Sequence, residues 1–376
     1  MKICLVNLNA LPALSDEFKH EWVGGEEVQH ALLATALTAL GHEVRLVVSD
    51  YGQADGSVYG GVTTLKAFRE SDGLPVLRFI HPRWTGLWSA LARADSDIYY
   101  VSCAGMLVGV LALFCKLHAR RLVFRVASDA DCQPEKLLVR YKRDRWLYEY
   151  GLKRADAILV QTESQRAQLL KNYGRHGSIA GMLVATPVRR AAETLKDIDV
   201  LWVATIRLVK RPDRFLELAR SLPHLRFHMV GGPSSGEEPL SARIEEQARR
   251  IPNLTFHGLV PYLDVDSLFD RARVLANTSE LEGFPNTFLQ AWILGIPVVT
   301  MFDPDGIVER CRLGSSHSDL ADMTSGLGAI LADEERYDQA SAAALEFMQQ
   351  RFEQQRVLSE YLQAFAGRSG RAAPGI

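Results

Sequence analysis

Short apolar and β-branched runs alternate with helical patterns along most of the chain, and this alternation constrains the fold more than any other feature. In the first half, strands are predicted at residues 3–8, 44–48, 98–101, 122–127 and 157–161. After a polar stretch that ends at Asp199, strands are again predicted at 200–204, 227–230, 254–256, 274–276 and 297–300. Such alternation is typical of βαβ units and parallel sheets. We therefore predict an α/β protein with two Rossmann-like domains whose parallel sheets face each other across a cleft.

The predicted domain boundaries follow from the length and from the point at which the alternation restarts. A chain of 376 residues exceeds the size at which one hydrophobic core keeps growing. We predict an N-terminal, acceptor-side domain at 1–187 and a C-terminal, donor-side domain at 198–350, with a linker at 186–197. A C-terminal helix at 351–366 is expected to pack back on the first domain. The tail at 367–376 is expected to lack structure.

Composition and charge exclude several classes of protein. Hydrophobic residues make up 47% and charged residues 23%, which is typical of soluble globular chains. The net charge of −2 gives no overall attraction to nucleic acid, so we predict no such partner. The five cysteines form no C-x-x-C pair, and the first residues enter a predicted strand without the pattern of a signal peptide. We predict a cytoplasmic protein.

One uncharged stretch, residues 98–115, approaches the length of a membrane-spanning helix. It contains Ser102, Gly105 and Gly109. A short strand followed by a buried helix at 107–117 explains these residues better. We therefore predict no membrane span in this stretch.

Residues 274–292 predict a strand, a glycine-containing loop and a helix. A helix that begins near Asn286 or Thr287, both favourable N-cap residues, directs free backbone N–H groups and the positive end of its dipole into the loop. That geometry suits a diphosphate. Glu282 would then accept hydrogen bonds from neutral sugar hydroxyls beside the phosphate. Taken alone, the segment is better explained as an ordinary connection with a solvated carboxylate at Glu282.

Two cations, Arg207 and Lys210, follow the first predicted strand of the second domain. Arginine offers a bidentate fork and lysine a mobile point charge, so the two can share one diphosphate. Both would stabilise the negative charge that grows on a departing nucleotide. A solvated basic helix start explains this loop about equally well when it is considered by itself.

Five motifs, in this order, resemble the large retaining glycosyltransferase group of the GT-B fold that includes glycogen, sucrose and mannosyl transferases. They are Gly24-Gly25-Glu26-Glu27, Arg207 with Lys210, Gly231-Gly232, Phe256-His257-Gly258, and Glu282 followed after seven residues by position 290. Each motif is weak alone, but the five in order cover most of the chain. The resemblance implies the GT-B fold, a UDP- or GDP-linked sugar as the donor substrate, and no cofactor.

The family's residue roles carry over position by position. Catalytic roles are implied for Arg207 and Lys210, which would clamp the diphosphate, and for Glu282, which would hold the donor sugar. Donor-binding roles are implied for Gly24, Gly25, Gly232, Val260, Tyr262, Gly283, Phe284, Pro285, Asn286, Thr287 and Gln290. Within this set the backbone around Val260 and Tyr262 would line the nucleobase, although a core or turn role explains their side chains equally well.

Three departures from the family pattern affect these roles. Gln290 stands where the family has a second glutamate, which resembles a ribose-binding residue; the glutamine keeps the hydrogen-bonding capacity but has no charge. Pro285-Asn286 stands where the family often has glycine. The family histidine of the first domain has no obvious match, and Asp129 or Asp131 lies at the corresponding strand end. We place Asp129 in the catalytic set, although an N-cap or surface role explains either aspartate better.

No metal-binding motif occurs in the sequence. There is no H-E-x-x-H and no Cys/His cluster, and D-x-D spacings arise readily by chance. G-x-G-x-x-G is also absent after the first strand, which argues against a dinucleotide-dependent oxidoreductase. We therefore assign no metal site and predict metal-independent transfer, with cations and a helix terminus in place of the metal.

Residues 136–154 carry seven cationic and two anionic side chains, interleaved with Trp146, Tyr148 and Tyr150. Such a segment can lie against anionic lipid, and residues 83–88 can add an aromatic contact to the same surface. We predict peripheral contact with the inner face of the cell membrane. A solvated helix whose aromatic side chains pack inward has at least equal weight.

We predict an enzyme that moves a hexosyl unit from a nucleotide diphosphate sugar to a glycan or lipid-linked acceptor. The resemblance implies retention of the anomeric configuration and a place in cell-surface polysaccharide or glycolipid synthesis. Two alternatives stay open. One is a sugar-nucleotide epimerase or phosphorylase on the same fold, and the other is a catalytically silent partner subunit, which Gln290 and the missing histidine make conceivable.

Overall fold

The computed structural model describes residues 1–21, 23–69, 71–74, 77–185, 195–234 and 236–367. Most of the predicted linker, at 186–194, and nearly all of the predicted tail, at 368–376, lie outside the described residues. The chain divides into two compact units. Unit 1 comprises Met1–Leu183 and Gln354–Ile376, and unit 2 comprises Val184–Glu353.

Unit 1 is built on an eight-stranded sheet. Its strands are β1 (Lys2–Val6), β2 (Glu43–Val48), β3 (Val58–Tyr59), β4 (Val62–Lys66), β5 (Ile98–Ser102), β6 (Arg121–Arg125), β7 (Ala157–Val160) and β8 (Ser178–Ile179). They are ordered β3-β4-β2-β1-β5-β6-β7-β8. β3 pairs antiparallel with β4, and the other pairings are parallel. The five predicted strands are confirmed, and the sequence analysis missed β3, β4 and β8.

Five helices connect these strands. They are α1 (Gly25–Ala39), α2 (Thr85–Ala94), α3 (Met106–Leu117), α4 (Lys142–Arg154) and α5 (Glu163–Tyr173). α1 buries Val28, Leu33 and Leu37 against the sheet, and Gly41 follows it with a φ of +82°, a left-handed conformation that favours glycine and ends the helix. The strand β5 and the helix α3 confirm the reading of the uncharged stretch 98–115. Among the described residues, no helix combines the length and the apolar character needed to cross a membrane.

Glycines allow α3 and α4 to approach each other closely. A Cβ atom on Gly109 would lie 2.4 Å from the Leu147 carbonyl oxygen. A Cβ atom on Gly151 would lie 2.4 Å from the Val108 carbonyl oxygen. Real Cβ atoms do not come so near to backbone atoms, so a larger residue at either position must separate the two helices.

We expect Gly109→Ala or Gly151→Ala to lower the free energy of unfolding by about 1–3 kcal/mol, because overpacking forces the backbone to shift. Gly328→Ala is the matched control, since Gly328 is also a helical glycine but its Cβ would meet open space. The control should gain about 0.5–1 kcal/mol from helix propensity. Urea denaturation measures both, and equal effects of the three substitutions would contradict the close approach of α3 and α4.

Unit 2 is built on a six-stranded parallel sheet. Its strands are β9 (Ile198–Val203), β10 (Phe227–Val230), β11 (Leu254–Phe256), β12 (Ala272–Asn277), β13 (Val298–Thr300) and β14 (Gly314–Ser316). They are ordered β11-β10-β9-β12-β13-β14, which is the 3-2-1-4-5-6 arrangement of the Rossmann fold. The prediction of two Rossmann-like domains with parallel sheets is therefore confirmed.

The described part of unit 2 contains seven α-helices. They are α6 (Pro212–Ser221), α7 (Glu238–Ala248), α8 (Asp266–Arg271), α9 (Asn286–Trp292), α10 (Ile307–Arg310), α11 (Leu320–Ala332) and α12 (Glu334–Arg351). One core cluster fills the space between the sheet and α6, α7 and α11. Its large members include Trp202, Phe215 and Phe227, which makes the central strand β9 a rigid support for the loop that follows it.

The last helix, α13 (Gln354–Ala366), belongs to unit 1. Its Glu360 carboxylate accepts a hydrogen bond of 2.7 Å from the Gly181 N–H, and the Arg121 guanidinium donates to the Ala364 carbonyl at 3.0 and 3.1 Å. The helical pattern after Asp333 therefore divides in two. α12 ends at Arg351, and the Phe352 ring, which follows, packs on other aromatic rings of unit 2.

Candidate functional site

The strand order of unit 2 brings two loops together. β9 and β12 are neighbours in the sheet, with Leu201 paired to Leu275, and the chain leaves them toward opposite edges of the sheet. Open α/β sheets bind ligands at this switch point, outside the carboxyl ends of the strands. Residues 204–211 follow β9 and residues 278–285 follow β12, so the predicted cations and the predicted glutamate lie in these two loops.

Lys210 and Glu282 form a direct ion pair between the two loops. The Lys210 Nζ lies 2.5 Å from the Glu282 Oε2. The Ser279 hydroxyl donates to the other carboxylate oxygen, Oε1, at 2.7 Å. The side chains of Lys210 and Glu282 are only 20% and 10% exposed, so solvent screens the pair weakly. Sequence reasoning missed Ser279, although a hydroxyl residue three positions before a loop glutamate is a usable signal.

Arg207 lies in the same loop but does not join this pair. Its backbone is extended, with φ −141° and ψ 153°, and its side chain is half-buried. Within the part of the chain that the structure describes, its guanidinium makes no hydrogen bond and no ion pair. This cation is therefore free to bind an anion without first breaking a contact to a described residue.

A second group of charged residues also links the two loops. Glu280 donates its N–H to the Val209 carbonyl at 2.9 Å. Its carboxylate accepts hydrogen bonds from Arg211 at 2.5 Å and from Arg214 at 2.9 Å. Arg211 also forms a bidentate pair with Asp213, which begins α6 with Pro212. The sequence analysis gave these residues no chemical role, because their contacts depend on which strands are neighbours.

A glycine turn after β10 lets the loop after β9 pass close by. A Cβ atom on Gly231 would lie 2.1 Å from the Ala204 carbonyl oxygen, so glycine is required there. The Gly232 carbonyl accepts from the Ile206 N–H at 2.8 Å, and the Gly231 N–H donates to the Gly258 carbonyl at 2.9 Å. The predicted turn residue Gly232 thus lies beside both neighbouring loops.

The predicted nucleobase segment follows Gly258, which has a φ of +66°. Val260 and Tyr262 are both half-buried, and Tyr262 begins a 3-10 turn, Tyr262–Asp264. Burial raises the pKa of the Tyr262 phenol above its usual range. His257, within the F-x-G motif, lies against His228 of β10, with 2.9 Å between Nε2 and Nδ1.

The loop after β12 ends at α9, whose start differs from the expected capping. α9 begins at Asn286, so Pro285 holds the N-cap position, and no side chain caps the helix. Asn286 and Thr287 are the first two helical residues instead. The predicted start of the helix near Asn286 is confirmed, but neither Asn286 nor Thr287 is the N-cap, because the helical conformation starts directly after Pro285.

Within the same loop Gly283, Phe284 and Pro285 are buried. The Phe284 ring packs against Trp292 at 6.2 Å and Phe352 at 5.7 Å between centroids, so its side chain belongs to the core. Gln290 is half-buried, one turn inside α9.

In unit 1, the predicted Gly-Gly motif lies at the start of α1. Gly24 holds the N-cap position with φ −99° and ψ 173°, which any residue can adopt, and Gly25 is the first helical residue. The conformation of Gly24 therefore does not explain why glycine is present. Close approach of a ligand to Gly24 and Gly25 stays a prediction.

The aspartates that replace the family histidine have different contacts. Asp131 accepts hydrogen bonds from the Ala127 and Ser128 N–H groups at 3.0 and 3.2 Å, as part of a capping box, and burial raises its pKa to about 6. Asp131 is thus a turn residue. The Asp129 carboxylate accepts from the Gln165 amide at 2.9 Å, and the catalytic role of Asp129 stays a prediction.

The sequence analysis also missed a buried charge cluster beside the Gly-Gly motif. Arg125, which is 0% exposed, lies 3.4 Å from the Glu26 carboxylate. His30 Nδ1 lies 3.0 Å from the Glu26 carbonyl oxygen, and burial lowers the pKa of His30. Burial also raises the pKa of Glu27 to about 7. The available signal was an arginine inside the otherwise apolar predicted strand at 122–127.

The described residues contain no cluster of three or more His, Cys, Asp or Glu side chains that could hold a metal ion. Lys210 and Arg207 are two of the positive groups in the loop that follows β9. Metal independence of the reaction stays a prediction.

One curated relative and two solved structures illustrate which known proteins this chain is similar to. The D-inositol 3-phosphate glycosyltransferase of Mycolicibacterium paratuberculosis is 28% identical over 199 residues, which are 46% of this chain and 44% of the relative. The matches thus span less than half the length of such curated relatives.

The solved structures show the fold. Sucrose-phosphate synthase from Thermosynechococcus elongatus has a TM-score of 0.79 at 16% identity, covering 97% of this chain and 98% of that one. A mutant of S. aureus TarM, in complex with fondaparinux, alpha-GlcNAc-glycerol and UDP, has a TM-score of 0.62 at 15% identity and covers 75% and 59%. These likenesses support the assignment of the GT-B fold to this chain.

Two family models match consecutive parts of the chain. The Glycosyl transferase 4-like domain matches residues 24–180, and Glycosyl transferases group 1 matches residues 188–363. The first match includes the Gly-Gly motif and the second includes both loops of the switch point. With the GT-B fold and the five ordered motifs, these two matches establish that the chain belongs to the glycosyltransferase group 1 family.

Proposed function

We propose that this glycosyltransferase moves a hexosyl unit from a nucleotide diphosphate sugar to a glycan or lipid-linked acceptor. The observation that carries the proposal is the ion pair of Lys210 and Glu282 at the switch point of unit 2, with Arg207 in the same loop as Lys210. Two cations suit a diphosphate, and a carboxylate beside them suits sugar hydroxyls. The UDP in the TarM complex supports a nucleotide as part of the donor.

In this proposal Lys210 and Arg207 neutralise the charge that develops on the departing nucleoside diphosphate. Lys210 already neutralises Glu282, so a donor diphosphate approaching the site does not meet an unpaired carboxylate. Glu282 keeps lone pairs that can accept from hydroxyl groups of the donor sugar. The ion pair therefore places phosphate recognition and sugar recognition side by side.

We propose retention by a front-side route. The bond from the anomeric carbon to the phosphate oxygen breaks, the acceptor oxygen bonds the same face, and the acceptor proton passes to the leaving phosphate. A double displacement would need a carboxylate nucleophile. Glu282 is poorly suited to that role, because Lys210 and Ser279 engage both of its oxygens.

A donor panel tests the proposed function. Among UDP- and GDP-linked hexoses, one donor should raise the melting temperature of the protein. Initial rates with that donor should then depend on an added acceptor. Turnover without an acceptor would favour the epimerase, and turnover dependent on inorganic phosphate would favour the phosphorylase. A protein that neither binds nor turns over any donor would favour the silent subunit.

We also propose that unit 1 contacts a membrane through a basic aromatic surface, defined as residues 77–84 and 136–146. The Arg143 guanidinium lies 3.4 Å from the centroid of the Phe79 ring, which joins the two segments. Large apolar side chains are exposed here, among them Leu77, Ile80, Leu138, Tyr141 and Trp146. Tyr148, by contrast, is buried and donates to the Asp131 carbonyl, so only part of the predicted aromatic set packs inward.

Cationic and apolar side chains on one surface suit anionic lipid. An enzyme with this surface would meet a lipid-linked acceptor at the inner face of the cell membrane. That position fits a role in the synthesis of cell-surface polysaccharide or glycolipid.

We expect the protein to sediment with anionic liposomes at low salt and to be released as salt rises, because screening weakens each cationic contact. Charge reversal of Lys142, Arg143 and Arg145 to glutamate should abolish sedimentation. Reversal of Arg243 on α7 and of Arg249 and Arg250, which follow this helix, is the matched control and should leave sedimentation unchanged. If the unmodified protein ignores such vesicles at low salt, the surface is an ordinary solvated face.

A further inference from the structure

A buried hydroxyl joins the two loops beneath the Lys210–Glu282 pair. Thr278 follows β12 directly and is 0% exposed. Its Oγ1 lies 2.9 Å from the backbone oxygens of both Lys210 and Arg211, to which it can donate. The indole Nε1–H of Trp202 in β9 donates to the same oxygen at 3.0 Å. Because Trp202 supplies a donor, the hydroxyl proton is directed to the two carbonyl groups.

The two carbonyl groups flank an unusual point in the backbone. Lys210 ends the 3-10 turn Leu208–Lys210, and Arg211 after it has a φ of +48°. Residues with a Cβ atom rarely adopt this left-handed conformation. Such conformations persist where the surrounding structure fixes them. The hydrogen bonds from Thr278 fix the backbone conformation of Arg211. The turn therefore places Lys210 beside Glu282.

The link between the loops through Thr278 is buried, whereas the link through the Glu280 carboxylate is partly exposed to solvent. The Glu280 carboxylate that accepts from Arg211 and Arg214 is half exposed, so water and salt weaken these pairs. Trp202 is 2% exposed, and its ring packs on Phe215 in the core. The bond from Trp202 to Thr278 is therefore the part of the connection that stays ordered when the outer charges are screened.

We infer that Thr278 is a positioning residue for Lys210, with Trp202 orienting its hydroxyl. Thr278 acts through the backbone of the loop and touches no substrate. The inference rests on the proposed function for its effect on turnover. Its effect on the loop itself holds whatever the donor is, so the two can be tested separately.

Thr278→Val removes the hydroxyl and keeps the side-chain volume. We expect it to lower kcat for sugar transfer by roughly 10- to 100-fold, because a small misplacement of a positioned group has effects of that order. Thr278→Ser should restore most of the rate. Thr64→Val is the matched control, since Thr64 is also 0% exposed and donates to a backbone carbonyl, that of Ser57 in unit 1. If Thr278→Val behaves like Thr64→Val, the inference is overturned.

A double-mutant cycle shows whether Thr278 acts through Lys210. In the Lys210→Ala background, Thr278→Val should cost little further activity, because the group that it positions is gone. Full additivity of the two losses would overturn the inference. Trp202→Phe, which removes the indole donor, should also lower kcat. This variant replaces Thr278→Val in the test if Thr278→Val does not fold.

Hydrogen exchange separates this inference from the proposed function. The Glu280 N–H, bonded to the Val209 carbonyl, should exchange faster in Thr278→Val than in the unmodified protein or in Thr64→Val. Unchanged exchange would overturn the positioning role. Faster exchange in a protein that binds no sugar nucleotide would support the link between the loops and reject the proposed donor.

Discussion

Replacement of Lys210 or Arg207 by alanine is expected to lower kcat for sugar transfer by roughly 100- to 1000-fold, the usual cost of one lost electrostatic contact to a transition state. Lys210→Ala has a second effect, because it leaves the Glu282 carboxylate, which is only 10% exposed, without its partner. An unpaired carboxylate there repels the donor diphosphate. Arg207→Ala lacks this second effect, so its loss should be the smaller of the two.

Initial rates with the preferred donor measure these losses, with and without EDTA. Activity of the unmodified protein should survive EDTA, because the two cations supply the positive charge that a metal ion would otherwise supply. Arg220→Ala, which removes an exposed cation from the last turn of α6, is the control and should keep the normal rate. Strict dependence on a divalent ion, together with near-normal rates of the Lys210 and Arg207 variants, would contradict the assignment of charge neutralisation to these two cations.

Glu282→Ala is expected to abolish measurable turnover, whereas Gln290→Ala should mainly weaken nucleotide binding. Glu282 holds the reacting sugar, so its loss acts on the chemical step. Gln290 is assigned the ribose, and one lost hydrogen bond costs on the order of 1 kcal/mol. Gln290→Glu should stay active, because a carboxylate accepts the same bonds.

Calorimetry with the bare nucleoside diphosphate, set beside initial rates with the full donor, separates these two roles. Glu282→Ala should still bind the diphosphate, since Lys210 and Arg207 remain. If Gln290→Ala binds the diphosphate as the unmodified protein does, or Glu282→Ala keeps its rate, the division of roles is wrong.

The parts of the fold that could be predicted from the sequence are those with strong local patterns. β9 and β12 contain the apolar runs Val200–Val203 and Val274–Ala276, and the predicted ends of both strands lie within two residues of the observed ones. β3 and β8 have two residues each, and β14 is Gly-Ser-Ser, so none offers an apolar run to detect. Their pairing is set by the neighbouring strand and not by their own residues.

The candidate site was predictable as a set of residues but not as a geometry. Arg207, Lys210 and Glu282 lie in loops that the strand pattern locates. The contact between Lys210 and Glu282, which are 72 positions apart, follows only from β9 and β12 being neighbours. The role of Thr278 could not be predicted for the same reason, because it depends on the contact of its hydroxyl with the turn at Lys210 and Arg211.

The membership of α13 in unit 1 has a consequence for the order in which the protein is made. Residues 1–183 emerge from the ribosome first, yet they lack the helix whose Tyr361 ring packs 6.1 Å from that of Tyr100 in β5. Domains usually fold as units during synthesis, the N-terminal one first. Because α13 is synthesised after unit 2, residues 184–353 are all made before unit 1 can close its core.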